Sequence, residues 1–133
     1  MAELRTLTKV SLPEAYLDFV SNHNGGICRQ ETITLDNCEE VFCECLFGLG
    51  LRAELDIVSW QREFLDDLPE NCIPIGCDPG GGFFLLLHTN AGWKVMYYDH
   101  SYSFPTSNDD SNTYECNINL GRLLEMVESP FRA

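Results

Sequence analysis

The stretch Ile75–His100, IGCDPGGGFFLLLHTNAGWKVMYYDH, decides the fold. Gly80-Gly81-Gly82 follows Asp78-Pro79 and runs straight into the apolar segment Phe83–Leu87. A phosphate loop of the Walker type needs a Lys-Ser/Thr pair after its last glycine and a helix behind it, so that free amides and an ammonium meet the phosphates. Neither follows here. Phe83–His88 reads instead as a central strand covered on both faces, and the glycines as a turn that supplies positive φ. Thr89-Asn90-Ala91-Gly92 reads as a hairpin turn. Trp93–Tyr98 is then the partner strand, with Trp93, Val95 and Tyr97 on one face and Lys94, Met96 and Tyr98 on the other. Just upstream, CIPIG (Cys72–Gly76) is a short strand whose Pro74 suits an edge or a bulge.

Working outward, Ser11-Leu12-Pro13-Glu14 offers a capping box with Ser11 as N-cap. Tyr16, Phe19 and Val20 follow on one helical face, and Gly25-Gly26 closes the helix. Thr32–Leu35 alternates as a strand, Asp36-Asn37 is a turn, and Val41–Phe47 is a second strand broken by Gly48-Leu49-Gly50. Ile57, Trp60, Phe64 and Leu68 recur at helical spacing within 54–68, which Asp66-Asp67 and Pro69 end. Ser101–Tyr114 is polar and reads as an exposed loop. Asn119 caps a last helix bearing Leu120, Leu123, Leu124 and Val127. The order α, β, β, α, β, β, β, α with short connections predicts an α+β fold: a mainly antiparallel meander with about three helices at its face and ends. A single domain over 1–133 is expected, its core spanning about 11–128.

Composition sets the partner class. The 133 residues carry 21 acidic and 8 basic side chains, a net charge of −13. Such a chain repels nucleic-acid phosphates and anionic membranes and attracts basic surfaces. Solubility alone is the plainer meaning of that charge. The opening Met1-Ala2-Glu3-Leu4-Arg5 lacks the apolar core of a secretory signal, and no apolar run approaches a membrane span. A soluble, cytoplasmic protein is expected. Seven cysteines match no secreted framework, so reduced, buried thiols are the default.

Chemistry-bearing clusters are few. Cys38, Cys43 and Cys45 form C-x4-C-x-C, which is not a standard zinc spacing, and two cysteines on one strand would have to lean together to share a metal. His23 ends the first helix, His88 ends the central strand, and His100 follows Asp99. Neighbours on a strand point to opposite faces, so Asp99 and His100 do not naturally pair as base and orienter. No motif places a nucleophile. No catalysis, cofactor or metal is expected. Acids gather at Asp36, Glu39, Glu40 and Glu44, at Asp66, Asp67 and Glu70, and at Asp109 and Asp110. Glu44 stands out because it interrupts an apolar strand, facing away from Cys43 and Cys45.

The order of these motifs resembles the SUKH superfamily. Leu12-Pro13-Glu14-Ala15-Tyr16-Leu17-Asp18-Phe19-Val20 with Asn24-Gly25-Gly26 is similar to its "LPxxYxxFL…NGG" opening. Ile73–Asp78 is similar to its "IPIAxDxxGD" segment, and Val95–His100 to its "VYxxDH" segment. Leu120–Val127 stands where the family has its closing helix. The resemblance covers roughly Ser11–Glu128. Two departures are clear: no acid follows the glycines, and Asn119-Leu120 replaces the usual Ser-Phe.

The resemblance implies an α+β binding domain, often a bacterial immunity protein that neutralises a toxin, frequently a nuclease. Other members are regulators, including one of fungal cell-wall synthesis. The expected partner is a basic toxin domain, met by Asp36, Glu39, Glu44, Asp78, Asp99, Asp109 and Asp110 with Trp93 and Tyr98 as aromatic anchors. A regulatory or scaffold domain binding a host protein, and a metal site built from Cys38, Cys43, Cys45 and histidines, remain as alternatives.

Overall fold

Three hairpin-linked strands form the spine. β5 (Cys72–Cys77), β6 (Phe83–Thr89) and β7 (Gly92–Tyr98) pair antiparallel, with Phe83 opposite Tyr98 and Thr89 opposite Gly92. The computed structural model describes residues 12–64, 66–68, 71–108 and 111–131. The expected N-cap Ser11, helix stop Pro69 and acids Glu70, Asp109 and Asp110 lie outside them. Phe84, Leu85, Leu86 and Ile73 are almost fully buried, as a strand flanked on both sides and covered on both faces requires. Burying each such side chain contributes about 1.5–3 kcal/mol. Pro74 stays opposite Leu85, next to a bulge at Ile75, and is tolerated because β4 pairs only with Gly76 and Cys77, which leaves the other side of β5 an edge at Pro74. In the β6–β7 turn, Thr89 Oγ1 accepts from the Ala91 amide and donates to the Gly92 carbonyl.

Shorter strands widen the spine to seven. β1 (Gly26–Cys28), β4 (Cys45–Leu46), β8 (Thr113–Glu115) and β9 (Val127–Ser129) give the order β8-β7-β6-β5-β4-β1-β9, all antiparallel. A separate pair, β2 (Ile33–Thr34) and β3 (Glu40–Val41), forms a small hairpin. Helix α1 (Glu14–His23) packs against α3 (Leu120–Leu124), α3 against β7, and α2 (Ile57–Glu63) against β5. The α+β architecture expected from the sequence is the one observed.

Several boundaries differ, each for a physical reason. α1 begins at Glu14 with Pro13 at the N-cap, and its end is closed by Asn24 in the left-handed region at φ 47, before the glycines. Gly26 then belongs to β1, where a Cβ would meet the Ser129 carbonyl at 2.7 Å. The expected strand 41–47 is two strands in two sheets. Between them the backbone still bonds, the Glu44 amide donating to the Cys77 carbonyl and the Glu44 carbonyl accepting from the Cys28 amide. The second helix is shorter than 54–68. A 3-10 turn (Ala53–Leu55) precedes it, and Asp56 caps it by accepting from the Ser59 amide. The last helix stops at Leu124, because Val127 pairs with Cys28 in β9.

Candidate functional site

The β2–β3 hairpin carries Asp36, Glu39 and Glu40, three of the acids singled out in the sequence. Ile33 and Leu35 anchor it by burial, and Leu35 bridges to Cys116 beside β8. The turn is closed by the Leu35 amide on the Glu39 carbonyl, the Cys38 amide on the Leu35 carbonyl, and the Glu39 amide on Asn37 Oδ1. Residues with side chains that bond their own backbone are suited to such turns. The alternation that buries Ile33 and Leu35 turns Asp36 outward, and Glu39, Glu40 and Glu44 are also exposed. None of the four has an ion-pair partner among the described residues. Four described cations are used elsewhere: Arg29 and Arg122 on Glu31, Arg52 on Glu54, and Lys94 on Glu115. Arg29 beside Glu31 holds that carboxyl below its ordinary range.

Asp78 is spent inside the molecule. Its Oδ1 accepts from the amides of Gly80 and Gly82 at 3.1 and 2.8 Å, and its Oδ2 from the Tyr97 hydroxyl at 2.7 Å. The triple glycine therefore does present amides to an anion, but the anion is the chain's own carboxylate. Gly81 takes φ 90, and a Cβ on Gly82 would lie 1.9 Å from the Tyr97 hydroxyl. Burial and then the Asp78 bond push the Tyr97 hydroxyl pKa up.

Asp99 and Tyr98 correct the expectation of surface contacts. Asp99 is 0% exposed and accepts from the amides of Ser103 and Phe104 and from the Ser107 hydroxyl. Thr106 and Ser107 reach the Tyr114 hydroxyl, each at 2.8 Å. The polar segment read as an exposed loop is thus folded around a buried carboxylate and ends in strand β8, where Tyr114 is buried. Tyr98 lies in an aromatic cluster with Phe64 and His100. Neither residue can anchor a partner in this conformation. Trp93 is half-buried, edge-on to His88 across the β6–β7 ladder. The Asp99 carboxylate and the His100 ring have different partners, although both lie in the turn past the end of β7 and not in a strand.

The clustered thiols are not the expected trio. Cys38 is exposed in the hairpin turn, at φ 69, while Cys43 and Cys45 are buried. Their near neighbours come from other strands: Cys28 Sγ is 3.7 Å from Cys43 Sγ, and Cys45 Sγ is 3.5 Å from Cys77 Sγ. The Cys28 thiol alongside and burial push the Cys43 thiol up. Among the described residues no three His, Cys, Asp or Glu side chains are placed to hold a metal ion. No described helix is long and apolar enough to cross a membrane.

The pattern of α1, the IPIGCD strand and its glycine turn, and the closing YYDH has a counterpart among protein families. The model of the SMI1 / KNR4 family (SUKH-1) matches residues 2–125. The chain belongs to this family. No curated protein and no solved structure matches it at a significant level. For a SUKH-1 domain the internal use of Asp78 is instructive, because it assigns the most recognisable segment of the chain to holding three strands together. The Trp60 face was read from sequence only as a core-facing helix stripe. The structure gives it a second aspect: Trp60 lines a cavity of about 280 Å³ with Ala53, Glu54, Ser59 and Glu63. A tryptophan flanked in sequence by Glu54 and Glu63 was the available signal.

Proposed function

We propose that this SUKH-1 domain is a non-enzymatic, cytoplasmic immunity protein that binds a basic toxin domain and covers its working surface. The observation that carries this reading is the β2–β3 hairpin. It holds Asp36, Glu39 and Glu40 in the open with Glu44 close by in sequence, none with a cation among the described residues. Exposed carboxylates without partners steer and orient a positively charged protein, and they repel nucleic-acid phosphate. Family membership supports a protein-binding role, and the net charge of −13 supports a basic partner.

The test is binding to any toxin domain encoded beside this chain, followed against salt; an isolated gene would weaken the immunity reading. The variant Asp36→Asn/Glu39→Gln/Glu40→Gln/Glu44→Gln is expected to slow association about 10- to 100-fold at low ionic strength, with a smaller effect at high salt. Affinity indifferent to both salt and substitution would remove the electrostatic basis of the reading. A complex formed only with a host protein would make the chain a regulator of the same fold.

A further inference from the structure

We propose that the Trp60 cavity receives an arginine side chain of a protein partner. The source of that arginine rests on the protein-binding reading above; the chemistry of the cavity does not. The cavity, about 280 Å³, is lined by Ala53, Glu54, Ser59, Trp60 and Glu63. That volume lies at the small end of ligand sites and suits one side chain better than a cofactor.

The walls are held from behind. Asp56 accepts from the amides of Gly50 and Ser59 and from the Ser59 hydroxyl, which fixes the 3-10 turn ahead of α2. The Trp60 indole N–H donates to the Glu54 carbonyl at 3.0 Å. The ring stacks on Phe64 and Phe47 at 5.5 and 6.0 Å and leans on Phe83 at 4.7 Å. The indole is therefore rigid before anything binds.

The polar inventory then selects the ligand. The Ser59 hydroxyl hydrogen is already given to Asp56 and the Trp60 N–H to Glu54, so neither side chain has a hydrogen left to donate. What remains among the lining residues is acceptors: two carboxylates, the Ser59 lone pairs and the part of the half-buried Trp60 ring that its aromatic neighbours leave uncovered. An anion or a carbonyl finds no lining side chain with a hydrogen to give. A flat cation with several N–H groups finds carboxylates to bond and an aromatic wall beside them, which is guanidinium chemistry. The ammonium of lysine offers the charge but no plane. Arg52, exposed, already reaches Glu54 at 3.0 Å. That exposed pair is weakly held and can exchange for an incoming guanidinium.

The probe is the capped peptide Ac-Gly-Arg-Gly-NH2, with its citrulline counterpart as the neutral isostere. The readout is the 15N–1H signal of the Trp60 indole in the intact chain, with the Trp93 indole as internal control. A saturable shift is expected at Trp60 with the arginine peptide, half-complete on the order of millimolar for one side chain, a weaker one with lysine, and none with citrulline. The rim variant Glu54→Gln/Glu63→Gln, altered only at exposed positions, is expected to bind about fivefold more weakly. Equal shifts from arginine and citrulline, no shift at Trp60, or unchanged binding by the rim variant would overturn the proposal. Peptide binding by a chain that ignores the toxin sustains the cavity's role and removes the immunity reading. Toxin binding unaltered by the rim substitutions, with Trp60 unmoved by peptide, does the reverse.

Discussion

Tyr97 donates its hydroxyl hydrogen to Asp78 at 2.7 Å, and the other oxygen of that carboxylate holds the amides of Gly80 and Gly82. One side chain of β7 thus clamps the turn between β5 and β6. Asp78→Ala and Tyr97→Phe are expected to be non-additive by about 1–2 kcal/mol in a double-mutant cycle followed by urea unfolding. Gly82→Ala is expected to cost about 2–3 kcal/mol, because its Cβ would fall 1.9 Å from the Tyr97 oxygen and 2.2 Å from the ring carbon that bears it. Tyr97→Phe does not rescue it, since that ring carbon stays.

Asp99 performs a comparable task for the segment after β7. Asp99→Ala strands two backbone amides and takes one of two partners from the Ser107 hydroxyl, which keeps Tyr114, around a carboxylate that is itself 0% exposed. A loss of about 3 kcal/mol is expected, with faster proteolysis between residues 101 and 108. Asp99→Asn keeps one acceptor oxygen and should lose less. Equal proteolysis of wild type and Asp99→Ala would show that the carboxylate does not order this segment.

Tyr16 makes the opposite case. Its ring is 1% exposed, and its hydroxyl has no hydrogen-bond partner among the described residues. Burial alone pushes its pKa up. Removing an unpaired buried hydroxyl relieves a desolvation cost, so Tyr16→Phe is expected to stabilise the fold by about 1 kcal/mol. A rise of a few degrees in Tm checks it; a fall means the oxygen is used.

Buried thiols set the alkaline limit. Burial pushes Cys72 and Cys116 from an ordinary 9.0 up to about 12. The folded state keeps these protons, so their stabilisation is complete below about pH 9 and is lost as pH rises toward 12. The gap corresponds to about 4 kcal/mol per thiol across that range. Urea midpoints measured from pH 8 to 11 should fall steeply, and more gently in Cys72→Val, which has one fewer proton to hold. Identical slopes would assign the alkaline loss to other groups.

The sequence revealed the meander but not its flanks. Cys72–Tyr98 was legible because its hairpins are local, its strands are six or seven residues long, and turn residues separate them. β1 and β9 have three residues each, and nothing nearby in sequence makes them extended. Only pairing across the fold does so. The helical spacing Leu120–Val127 was real through Leu124, then lost to the pull of Cys28 on Val127. Acids were the least legible feature. A composition makes Asp36, Asp78 and Asp99 look alike, although one is exposed and two accept hydrogen bonds from their own chain. The useful local signs were the glycine amides after Asp78 and the serines at 103 and 107 after Asp99.

The place of β9 has a consequence for how the chain is made. Cys28 and Val127 are neighbours in the sheet but lie far apart in the sequence. The β5–β6 and β6–β7 hairpins can zip as they leave the ribosome, since each closes over a short loop. The edge formed by β1 stays without its outer partner until Val127–Ser129 has been made. A nascent chain stalled short of Val127 should therefore display an open strand to whatever chaperone or sister chain is near.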